Sequence, residues 1–174
     1  MFRMMFCACI CAAALAAPTY AAQEFYVGEP VVHDGMQIVP NYLTGVEMDH
    51  HPMGMGMMKD SVHLEADVHA TKDETHGFPE DAWIPYLTVS FILTKDGSAA
   101  YKKSGLLYAM TAKDGPHYAT NVDMAGPGTY HLTYLISPPS SNGFIRHVDK
   151  ASGVPPWWKP FSESWTFTYP SKGK

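Results

Sequence analysis

Seven short runs rich in Val, Ile, Tyr, Thr and Phe, at residues 37–46, 61–70, 86–93, 106–112, 118–122, 128–136 and 164–169, are separated by turn residues. No stretch sustains a 3.6-residue period, so the pattern reads as β-structure throughout. The punctuation is explicit: Asp96-Gly97, Asp114-Gly115-Pro116, Gly126-Pro127-Gly128, Pro138-Pro139 and Asn142-Gly143. Seven or eight strands at this spacing in one domain predict an all-β fold, an immunoglobulin-like β-sandwich. No fixed-period repeat and no linker divides the chain.

At 174 residues, 46% hydrophobic and 17% charged, the chain is long and apolar enough for one globular core and is neither disordered nor coiled coil. With 12 Lys+Arg against 17 Asp+Glu and no basic cluster, it has no electrostatic footprint for nucleic acid or an anionic membrane surface. Arg3, an apolar run over residues 4–17 and small residues ending at Ala21-Ala22 have the layout of a secretory signal peptide. That run is too short to span a bilayer, so no direct membrane insertion is expected. Cleavage after Ala21 leaves a domain of residues 22–174, exported to the periplasm, with a frayed basic tail at 172–174. All three cysteines, Cys7, Cys9 and Cys11, lie in the leader, so the mature domain has neither disulfides nor thiolate metal ligands.

The chain also carries an unusual inventory of 9 His and 11 Met, with all nine His and eight of the Met beyond the leader. In the run from Asp60 to Ala70, alternation puts Val62, Leu64, Ala66, Val68 and Ala70 on one side and His63, Glu65, Asp67 and His69 on the other. The second side is either a solvated sandwich face or a ligand row suited to Cu(II), Zn, Fe or Mn. Further on, the Asp114-Gly115-Pro116 turn reverses the chain between Met110 and His117, so a thioether, a carboxylate and an imidazole converge. Thioether is a soft ligand that suits copper. The segment 47–58 holds five Met and two adjacent His in a Gly-broken loop, either a flexible stretch or a trap for Cu(I). The run Trp157-Trp158-Lys159-Pro160-Phe161 offers large apolar anchors for a dimer contact or a permease, or else packs over an open end of the sandwich.

Six runs in order, His-Leu-Glu-Ala-Asp-Val-His-Ala at 63–70, Trp-Ile-Pro-Tyr-Leu-Thr-Val at 83–89, Asp-Gly-Pro-His-Tyr at 114–118, Tyr-His-Leu-Thr-Tyr at 130–134, Gly-Phe-Ile-Arg-His at 143–147 and Trp-Trp-Lys-Pro-Phe at 157–161, resemble the bacterial periplasmic iron-transport proteins associated with iron permeases. The resemblance implies an immunoglobulin-like fold and a copper site using His63, Met110 and His117. It also implies that His147 serves the site of the second subunit of a homodimer. Glu65 and Asp114 match acidic positions that hold a second metal, or an alternative position of the first, with iron, or manganese in its place, as the harder ion. Met48, in a loop richer in Met than the family pattern, is a further possible ligand.

The expected function is therefore an exported metal-binding protein of an iron-uptake system, which binds copper and iron and passes iron to an inner-membrane permease. The alternative is a periplasmic copper carrier or copper-resistance protein using the Met/His loop. An adhesin-like sandwich is a third reading. No Ser/His/Asp or Cys/His set and no Gly-rich phosphate loop is evident, so the chain is not expected to be an enzyme.

Overall fold

The computed structural model describes residues 23–50, 52, 55, 56 and 61–170. The leader expected at 1–21, most of the Met-rich stretch and the tail at 172–174 lie outside these residues. Nine strands follow in order: β1 Gln23–Tyr26, β2 Val31–His33, β3 Met36–Thr44, β4 Ser61–Ala70, β5 Thr88–Lys95, β6 Lys102–Ala112, β7 Gly115–Asp123, β8 Gly128–Ser137 and β9 Phe161–Tyr169. A single 3-10 turn, Pro139–Asn142, follows β8, and there is no α-helix among the described residues. The fold is all-β, as the alternation predicts.

Every pairing is antiparallel, in the order β1-β3-β4-β7-β6-β5-β8-β9, with β2 also on β3. The sheet curls into two layers because β6 changes partner along its length. Its first part pairs with β5, as in Leu107↔Val89, and its last part with β7, as in Tyr108↔Ala119. The layers close over an apolar interior. Val62, Leu64, Ala66, Val68 and Ala70 of β4 are all at most 2% exposed, the inward row expected from the sequence. Beside them on β3, Tyr42 packs its ring 6.0 Å from Phe167 and 5.7 Å from Tyr169 of β9 in the other layer. The Tyr134 hydroxyl donates to the Glu65 carbonyl at 2.9 Å and ties β8 to β4 through the core. Because that contact fixes the backbone of Glu65 from the inside, it also sets where the Glu65 side chain stands on the outside.

The expected strands are all present, with shifted ends. β6 begins at Lys102 and β9 at Phe161, earlier than the alternation suggested, because Lys102-Lys103-Ser104-Gly105 and Ser162-Glu163-Ser164 are polar edge sequence. β1 and β2 are too short to show a period. Trp157 stacks on His76 at 4.7 Å, and Trp158 packs on the core. No helix among the described residues is long and apolar enough to cross a membrane.

Candidate metal centre

The site lies on the outer face of the layer that contains β4 and β7. In antiparallel pairs, directly opposed residues share a face. His63 opposes Asn121, Glu65 opposes Ala119 on one side and Asn41 on the other, and Met110 opposes His117. The hairpin between β6 and β7 turns through Lys113 and Asp114, so Ala112 faces Gly115 and the thioether and imidazole become immediate cross-strand neighbours. The convergence expected around the Asp114 turn is thus produced by register.

His63, Glu65 and His117 offer ligand atoms that all lie within 4.8 Å of one another. The imidazole rings of His63 and His117 stand edge to face, with centroids 5.9 Å apart. These residues are 4%, 7% and 6% exposed, so this part of the face is not solvated. A cleft of about 900 Å³ opens onto them, lined also by Met110, Asp114, Met48 and His50. Among the described residues, six of the seven candidate ligands therefore border one space. The seventh, His147, is exposed on the loop after β8, where its Nδ1 meets the Ser152 hydroxyl at 2.8 Å.

Electrostatically the surroundings of Glu65 are dominated by acidic groups, although Lys113 also lines the cleft. The Glu65 carboxylate is 3.7 Å from His117 Nδ1, too long for a hydrogen bond. Burial, then the charge and hydrogen bond of Asp67, then Asp114 and Glu24 push the Glu65 carboxyl up to about 8. Burial pushes His63 below its ordinary value, opposed by its hydrogen bond to Asn121 and reinforced by His117. Nε2 of His117 is buried and has no hydrogen-bond partner. A buried polar atom left in this way costs free energy unless a ligand satisfies it, and two imidazoles and a thioether form a donor set that fits copper, with a carboxylate beside them for a harder ion.

Sequence reading missed Glu24 and Asn41. The Asn41 amide, 1% exposed, donates to Glu24 at 3.1 Å and to Asp67 at 3.0 Å and so joins the two carboxylates. A groove lined by Glu24, Glu65, Asp67, His69, Asp114 and His117 runs beside the centre, with no Lys or Arg in its lining. Asn is depleted in strand interiors, so an Asn within β3 and another within β7 were the available signals.

Comparison with known proteins gives a consistent result. The profile of the Fe2+ transport protein family matches residues 21–171. A UPF0423 protein of Brucella abortus is 46% identical over 157 residues, covering 88% of this chain and 85% of its own. A 34 kDa membrane antigen of Treponema pallidum is 33% identical over 148 residues, covering 82% of this chain and 72% of its own. A copper-bound variant of FetP from uropathogenic Escherichia coli superposes with a TM-score of 0.78 at 43% identity, over 86% of this chain and 99% of that one. The copper-reconstituted P19 protein of Campylobacter jejuni gives 0.77 at 41% identity, over 87% and 99%.

Proposed function

The chain belongs to the Fe2+ transport protein family, and from that premise we propose that it is a periplasmic component of an iron-uptake system that binds copper through His63, Met110 and His117 and handles iron beside it. The observation that carries the reading is the buried, unpartnered Nε2 of His117, in a residue grouped with His63 and Glu65 inside 4.8 Å. Imidazole and thioether together accommodate both Cu(II) and Cu(I), so bound copper supplies a centre able to exchange an electron. The chain's own residues hold it: the β6–β7 register sets Met110 against His117, and β4 brings His63 and Glu65 alongside.

Iron is the cargo. As a harder ion it suits the carboxylates of Glu65 and Asp114, with manganese able to stand in, and the neighbouring Asp67 and Glu24 deepen the negative field there. His147, exposed and remote from its own cluster, is assigned to the site of a second copy in a homodimer, and the iron passes to an inner-membrane permease. The leader at 1–21 delivers the chain to the periplasm.

The test is metal content and electron paramagnetic resonance on mature protein, wild type and His117→Ala, followed by iron titration of both. The reading expects nitrogen-ligated Cu(II) in the wild type, its loss in the variant and weaker iron binding with it. Copper that stays bound in the variant refutes the ligand set. The copper-carrier alternative draws on Met48 and His50, which line the same cleft. Under that alternative, deletion of 48–58 abolishes copper delivery and leaves iron uptake normal.

A further inference from the structure

We propose that Asn121 is a positioning residue of the metal centre, which holds His63 as the tautomer protonated on Nδ1 and so leaves Nε2 as its metal-binding atom. The inference rests on the metal reading of His63 given above. His63 Nδ1 lies 2.8 Å from Asn121 Oδ1. An amide oxygen only accepts, so the proton of a neutral His63 sits on Nδ1 and the lone pair on Nε2. The two residues are directly opposed on β4 and β7, so backbone register delivers the contact, and His63 is only 4% exposed.

Asn121 is itself fastened from the other side. β6 leaves β7 after Tyr108↔Ala119 to pair with β5, so no β6 residue pairs with β7 beyond Ala119. The Asn121 carbonyl there accepts the Gly56 N–H at 2.7 Å. A Cβ on residue 56 would stand 2.7 Å from Asp123 Oδ1 and 2.8 Å from Asp123 N, which is why a glycine occupies this place. One residue thus anchors both the metal-binding imidazole and the described end of the Met-rich segment. Oriented imidazoles of this kind gain basicity and a fixed direction from their second nitrogen's partner.

The experiment is long-range proton–nitrogen NMR of the metal-free, full mature protein, with copper competition titrations and electron paramagnetic resonance. The expected result is a wild-type His63 protonated on Nδ1. Asn121→Ala then loses that signature and binds copper about 10- to 100-fold more weakly. Asn121→Asp, whose carboxylate accepts the same proton, restores both. A wild-type His63 protonated on Nε2 overturns the proposal, and so does an Asn121→Ala protein with unchanged copper affinity and spectrum. The wild-type spectrum decides the matter even if Asn121→Ala does not fold. His117→Ala separates the two levels: if it keeps copper, the metal reading fails, and the tautomer measurement still reports on Asn121 independently.

Discussion

Replacing Glu65 with Gln should stabilise the metal-free protein, and the gain should depend on pH in a defined direction. The Glu65 carboxyl is raised from 4.5 to about 8, chiefly by burial and then by Asp67, Asp114 and Glu24. Below pH 4.5 the group is protonated in both folded and unfolded chains and has no effect. Between 4.5 and 8 the folded chain keeps a proton that the unfolded chain has released, so stability falls by about 1.4 kcal/mol per pH unit as pH rises. By pH 7 the accumulated cost is on the order of 3 kcal/mol. Gln keeps the size and removes the titration. Urea denaturation of chelator-treated protein should therefore find Glu65→Gln more stable by on the order of 3 kcal/mol near pH 7, equivalent to about 6–12 °C in melting temperature, with convergence near pH 5. Burial lowers His63 in both proteins, so its contribution, present above 6.5 and lost as pH falls, cancels in the difference. A gain that is equal at the two pH values, or that grows towards acid, refutes the reasoning.

Two further outcomes follow from the packing. Tyr134→Phe removes the hydroxyl that bonds the Glu65 carbonyl across the core, which should cost about 1–2 kcal/mol in denaturant unfolding while leaving the fold intact. Gly56→Ala forces a methyl group against Asp123, and overpacking against backbone of this kind should destabilise by about 1–3 kcal/mol in the same assay.

The inward row of β4 was legible because a period of two over ten residues admits only one choice of apolar face, and a one-residue slip would have buried His63, Glu65, Asp67 and His69 instead. What the period cannot report is whether the other face is covered. His63 and Glu65 are on the outer side of the sheet yet buried, because neighbouring strands and residues 45–50 wall the cleft. The meeting of Met110 with His117 was legible in the turn between them, since a hairpin fixes register locally. Glu24 and Asn41 were not, because their link to Asp67 depends on β1 lying beside β3 and β3 beside β4, and β1 carries only four residues of pattern. The crossover of β6 between layers was hidden for a similar reason: Lys102-Lys103-Ser104-Gly105 has no alternation to place it.

The strain at Glu65 also separates the two metals. A proton relieves the Glu65 carboxylate, whereas the orphaned His117 Nε2 calls for a metal ion. Metal held through Glu65 must displace that proton anywhere below about pH 8, so its apparent affinity weakens by about tenfold for each pH unit of acidification. Copper held by His63, Met110 and His117 does not depend on that carboxylate, and His63 takes up its own proton only below its ordinary 6.5. Between about 8 and 6.5, therefore, the carboxylate-bound ion should be lost while copper remains. Manganese titration of copper-loaded protein, followed by electron paramagnetic resonance at the two ends of that window, should find manganese affinity falling by more than tenfold with copper occupancy constant. If manganese binding is independent of pH, Glu65 is not its ligand. If both metals leave together, the carboxylate and imidazole donors form one site rather than two.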